Sequence, residues 1–179
     1  INFSPLTFLK SPLLWMQALD KYAVHWSAAP DFAYELCVRR LADRRHPFNV
    51  DLSTVQVMAC GAGERCRPPQ LARFIEAFAQ FGLRTAVFAP TYGLAEHVVG
   101  TCTCLEGVKL SSFRPDLACC GEEFLTDLRI VDPVRHVEMP PNERGEIWLS
   151  SRSVAKGYWG KPDLSNETFH ARLADGSPY

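Results

Sequence analysis

"FAPTYGLAEHVVG", Phe88 to Gly100, is the stretch on which the fold turns. An apolar run stops at Pro90, and a tyrosine, a glycine and a lone carboxylate follow at once. Working outward, "TAVFAP" has the length and apolarity of a buried strand. Upstream of it, Pro68 opens a helix whose Leu71, Phe74, Ile75 and Phe78 keep helical spacing, with Gly82 where a C-terminal cap belongs. Before that helix, Val55 to Ala59 in "STVQVMACGAGE" reads as a short strand halted by glycines. Strand, helix and strand in this order predict part of a parallel α/β sheet flanked by helices. Ligands of such sheets sit outside the carboxyl ends of the strands. Both "CGAGE" and "PTYGLAE" fall there.

Toward the N-terminus, Ser11 is a candidate N-cap with Pro12 in the first helical position. Trp15, Ala18, Leu19 and Tyr22 follow as one amphipathic stripe. "HWSAAPDFA" reads as a loop. Ala33, Leu36, Cys37 and Leu41 stripe a second helix that ends in "RRLADRR", a basic cluster suited to a solvated helix C-terminus. Beyond Gly100 the texture changes. "DLRIVDP" and "GEIWLSS" are short strands around the turn-rich "PPNERG", and Asp163 or Ser165 can begin a short helix. The expected organisation is an α/β part over residues 1–100 and a mostly β, barrel-like subdomain over 101–179.

The chain of 179 residues carries a net charge of −1, which argues against a nucleic-acid partner. No apolar stretch approaches the ~20 residues of a membrane span. There is no leader pattern, and the first residue is Ile, so the expectation is a chain that lacks its true start. The seven cysteines include "CTC" and "CC", spacings that suit a single metal ion poorly. An odd count without a leader favours reduced thiols in the cytoplasm or an organelle.

The strand-end residues suit a nucleotide. Tyr92 offers a flat face for a purine. Gly93 lets backbone approach a ligand, and Glu96 can supply an oxygen to Mg²⁺ beside phosphates. The "CGAGE" loop can set main-chain groups against a base edge. His25 and His97 read as solvated or core histidines.

"PTYGLAE" resembles the Tyr-Gly-x-[Thr/Ala]-Glu motif of the adenylate-forming superfamily of acyl and aryl ligases. "RGEIWLSSRSVAKGYWGKPDLSNETF" is similar to that superfamily's Gly-Glu-[Leu/Ile] strand, its Gly-Tyr segment and the helix that follows. "DLRIVDP" is similar to the strand before them. "FSPLTFLKSPLLWMQALDKYAVHWSAAPDFAYELCVRR" resembles a stretch typical of the fatty acyl-AMP ligase branch, and Ala95 agrees with that branch. The resemblance covers nearly the whole chain except Cys102 to Cys120. It implies the large N-terminal domain of an enzyme that uses ATP and Mg²⁺ to convert a fatty acid to its acyl adenylate, for transfer to an acyl carrier protein. It also implies that Gly61, Ala62, Glu64, Thr91, Tyr92 and Gly93 bind the nucleotide, with Tyr92 stacked on adenine. Glu96 would be the catalytic metal ligand, and Phe32 and Tyr34 would lie near the acyl site. For the last two, ordinary core aromatics are an equal expectation.

The sequence departs from the family pattern in three ways. "GAGERC" carries an extra glycine, Gly63, in the usual Gly-Ala-Glu-Pro loop. Asp31 stands where Asn is usual, an unhelpful charge near a carboxylate substrate unless it is paired. The phosphate-cradling loop and the C-terminal lysine are not in this sequence, so the polypeptide alone is expected to be inactive. The competing readings are an acyl-CoA synthetase segment, a non-catalytic adenylation-like binding module and an unrelated α/β domain.

Overall fold

A computed structural model describes residues 2–61, 65–104, 116, 118–123 and 126–179. The chain forms two compact units. The first holds Ile1–Tyr92 and Thr103–Gly121, the second Gly93–Cys102 and Glu122–Tyr179. Phe88 to Gly100 therefore contributes to both.

In the first unit, strands β1 (Trp26–Ala29), β2 (Val57–Cys60) and β3 (Phe88–Tyr92) run parallel, with Ala28 beside Ala59 and Ala59 beside Ala89. The two-residue strand β4 (Cys102–Thr103) follows β3, and the Cys104 N–H donates to the Pro90 carbonyl at 3.0 Å. Helices α3 (Asp31–Ala42) and α4 (Pro68–Ala79) connect the three long strands, as parallel pairing requires. The N-terminal stripe forms α2 (Leu13–Lys21).

Three elements differ from the sequence reading. Of "TAVFAP", expected as a strand, Thr85–Val87 form a 3-10 turn and β3 begins at Phe88. Ser4, rather than Ser11, caps a helix: its side chain accepts from the Thr7 N–H ahead of α1 (Pro5–Lys10), while Ser11 ends that helix. "HWSAAP" contains β1 instead of a loop. As a short edge strand with Trp26 exposed, it shows none of the apolar alternation by which a half-buried strand is recognised.

Aromatic packing between helices and sheet makes the core. Tyr34 is fully buried, with the rings of Trp15, Phe74 and Phe88 edge-on at 5.3, 5.1 and 5.1 Å, and its hydroxyl donates to the Ala59 carbonyl at 2.8 Å. Such edge-to-face contacts add about 0.5–1.5 kcal/mol each beyond burial. The two connecting helices are also tied together by charge. Glu35 accepts from Arg39 at 3.0 Å and from Arg73 at 2.9 Å.

The second unit is built on an antiparallel ribbon, β6 (Asp127–Val131) against β7 (Glu146–Ser150), with Arg129 opposite Trp148. It also carries the two-residue strand β5 (Glu122–Glu123) and helix α5 (Pro162–Phe169). Its small core is Val131, Trp148 and Leu173. Among the described residues this is a ribbon with a helix, not a closed barrel. After β6 the Asp132 carboxylate accepts from the Val134 and Arg135 N–H groups at 2.8 and 3.0 Å and from Arg135 Nε at 2.7 Å. These bonds close the turn out of the strand and hold the Asp132 carboxyl down at about 2.

Candidate functional site

The carboxyl ends of β2 and β3 are locked together within the first unit. The Thr91 hydroxyl donates to the Cys60 carbonyl at 3.2 Å, and the Cys66 thiol donates to the same oxygen at 2.8 Å. Gly61 lies directly against Thr91, and a Cβ there would overlap the threonine hydroxyl and carbonyl. The glycine is thus required by strand packing, whatever ligand lies beyond it. Ala62 and Glu64, expected in the adenine pocket, lie outside the described residues. Tyr92 ends β3 with 37% of its surface exposed.

Asp31 resolves one departure from the family pattern. It is fully buried at the start of α3, where it accepts from the Arg67 backbone N–H at 3.0 Å and from Arg67 Nε at 2.8 Å. The carboxylate therefore joins the front of α3 to the front of α4. Its neighbour Phe32 is exposed, whereas Tyr34 is fully enclosed in the core.

In the second unit the chain after Tyr92 turns back on itself. Gly93 faces the backbone of Val99 and Gly100 so closely that any Cβ would overlap the Val99 carbonyl. Its close approach is to its own chain. A 3-10 turn over Ala95–His97 follows. The Val99 N–H then donates to the His97 carbonyl at 2.9 Å across Val98, which sits at φ 69° and ψ −34°. This is a γ-turn of the positive-φ kind, costly for a β-branched residue. His97 is 3% exposed: Nε2 shares a hydrogen bond with Ser151 Oγ at 2.7 Å, and Nδ1 lies 3.4 Å from Thr101 Oγ1. It is a structural histidine that clamps the turn. His25 is exposed at the start of β1.

Glu96 projects from this clamped turn. Its carbonyl accepts from the Ala155 N–H at 2.8 Å, and Oε1 accepts from the Tyr158 hydroxyl at 2.6 Å. The phenol bond favours the charged carboxylate and lowers its pKa below the ordinary value, so Glu96 is ionised at neutral pH. A groove of about 870 Å³ runs past it, lined in part by His97, His136, Trp148, Phe169 and Arg172. A half-exposed, ionised, oriented carboxylate suits Mg²⁺, which takes one or two carboxylates together with substrate phosphates. Among the described residues no cluster of three or more acidic, His or Cys side chains is arranged to hold a metal ion.

Sequence reasoning named Glu96 and Tyr92 but missed Tyr158, Ser151 and Arg67. Tyr158 was visible in "AKGYWG", yet no spacing rule joins it to a carboxylate 62 positions earlier.

The AMP-binding enzyme family matches residues 2–159, and the chain belongs to it. It is 37% identical to the 4-hydroxyphenylalkanoate adenylyltransferase of Mycobacterium marinum, across 99% of this chain and 32% of that protein. It is 35% identical to the long-chain-fatty-acid–AMP ligase FadD26 of the same species, across 99% of this chain and 34% of that one. The crystal structure of the fatty acyl-adenylate ligase from L. pneumophila, in complex with acyl adenylate and pyrophosphate, superposes with a TM-score of 0.86 at 30% identity. That match covers 96% of this chain and 33% of the other. The chain thus spans about a third of the length of the relatives it matches. No helix among the described residues is long and apolar enough to cross a membrane.

Proposed function

We propose that this chain is the part of a fatty acyl-AMP ligase that holds the adenine and the metal. The fatty-acid carboxylate attacks the α-phosphorus of ATP, the bond to the β,γ-diphosphate breaks, and pyrophosphate leaves with the electron pair. The substrate is the nucleophile, so the protein's task is placement and charge neutralisation. Bound Mg²⁺ supplies positive charge to the phosphates. Tyr92 stacks on the adenine at the end of β3. Gly61 and Thr91, with Ala62 and Glu64, border the base, and Gly93 permits the turn that aims Glu96. Glu96 holds the metal. Phe32 faces the acyl group, and Tyr34 supports that wall from within the core.

The acyl group then passes to a carrier-protein thiol, as part of lipid or polyketide assembly, in the cytoplasm or an organelle. Residues 1–100 serve the adenylate and 101–179 the flanking β part of the same domain.

The observation that carries this reading is the ionised Glu96, fixed in the turn that follows Tyr92 and Gly93 in a chain of the AMP-binding enzyme family. The test is pyrophosphate release by the full-length protein with fatty acids and, because one relative is named for them, 4-hydroxyphenylalkanoates. Glu96→Ala is expected to abolish acid-dependent release. Retained release would remove Glu96 from the metal site.

A further inference from the structure

Tyr158 lies outside every role assigned above, yet its hydroxyl makes the shortest side-chain contact to Glu96, at 2.6 Å to Oε1. Its own position is fixed on several sides. Ser165 Oγ, in α5, accepts from the Tyr158 N–H at 2.8 Å and is itself tied to the Lys161 carbonyl at 2.7 Å. The Phe169 ring, at the end of the same helix, stands edge-on to the Tyr158 ring at 5.1 Å. Gly157 makes the approach possible. It holds φ +147°, and a Cβ there would fall 2.8 Å from Ser165 Oγ. Just ahead of Gly157, the Ala155 N–H binds the Glu96 carbonyl at 2.8 Å. The loop from Ala155 to Tyr158 therefore grips Glu96 at both its backbone and its carboxylate, and α5 braces the loop.

We propose that Tyr158 is a positioning residue for the metal-binding carboxylate: its hydroxyl fixes the orientation of Glu96, and α5 sets Tyr158 through Ser165 and Phe169. This rests on the reading of Glu96 as a Mg²⁺ ligand. Partners that orient a ligating side chain commonly contribute 10- to 100-fold to metal affinity. A lone carboxylate on an exposed turn has rotameric freedom that such a bond removes.

The test uses the full-length protein loaded with a non-hydrolysable ATP analogue, with Mn²⁺ as the probe and electron paramagnetic resonance as the readout of metal binding. Tyr158→Phe keeps the ring against Phe169 and deletes only the hydroxyl. It is expected to weaken Mn²⁺ binding about 10-fold and to raise the Mg²⁺ concentration for half-maximal pyrophosphate release by the same factor, with the KM for fatty acid unchanged. Ser165→Ala, which loosens the brace but leaves the phenol, shifts both quantities in the same direction by less.

Glu96→Gln separates the two claims. If it removes Mn²⁺ binding while Tyr158→Phe leaves binding and Mg²⁺ dependence unchanged, the positioning role is wrong and the ligand assignment stands. If Glu96→Gln itself leaves Mn²⁺ binding intact, the ligand assignment fails and the positioning role with it. An equal change in the KM values for metal and fatty acid would mark a general packing defect, and would overturn the proposal too.

Discussion

Gly93 is the residue on which the geometry of the turn depends. A methyl group there meets the Val99 carbonyl, so main chain has to move. Gly93→Ala is expected to destabilise the protein by about 2–3 kcal/mol, read from urea unfolding, because overpacking against backbone finds no side chain able to yield. Val98 predicts the opposite sign. It is 69% exposed and held at φ 69°, so little burial is lost when strain is relieved. Val98→Gly should leave stability unchanged or raise it by about 1 kcal/mol, and a loss beyond that would contradict the strained turn. At this scale the sequence showed which residues matter more readily than why. Gly61 and Gly93 stood out as glycines suited to a ligand, but both are required by close approaches within the chain. Tyr34 stood out equally as an aromatic beside the acyl site and as an ordinary core aromatic; it is fully buried, and its hydroxyl satisfies a strand carbonyl.

Among the elements, the fronts of α3 and α4 are joined by the Asp31–Arg67 ion pair. Arg67→Ala leaves the fully buried Asp31 carboxylate, among the described residues, with only the backbone N–H of residue 67, whereas Asp31→Asn keeps an acceptor for that N–H. Arg67→Ala is therefore expected to cost about 2–3 kcal/mol in urea unfolding, at the low end for a broken buried pair because the arginine is half exposed. Asp31→Asn should cost less, and the reverse order would contradict the pairing. The turn after β6 makes a pH prediction. The Asp132 carboxyl is depressed to about 2 in the folded protein, against an ordinary value near ~3.9 in the unfolded chain. Its contribution is present above the unfolded value and is lost as pH falls through the folded one. Urea midpoints should drop between about pH 4 and pH 2, and Asp132→Asn should flatten that drop. Helices α3 and α4 and strands β2 and β3 were legible from spacing and glycine punctuation. β1 was not, because an exposed four-residue edge strand leaves no periodic trace. Arg67 was opaque for a similar reason: its partner lies 36 positions away.

For the whole molecule, motif order carried more information than composition. Charge argued against a nucleic-acid partner and no apolar stretch approached the length of a membrane-spanning helix, but neither named a reaction. The Tyr-Gly-x-x-Glu motif, the strand "GEIWLS" and the "GYWG" segment in sequence pointed to the family that matches residues 2–159. What stayed hidden was the long-range bond from Tyr158 to Glu96, which only folding brings together. The measurement that tests the account most directly is fatty-acid-dependent pyrophosphate release by the full-length protein, with Glu96 intact and with Glu96→Ala. The account predicts release that needs both the fatty acid and Mg²⁺, and a loss of at least about 100-fold on removing the carboxylate. Release at the same rate in the two proteins would contradict it.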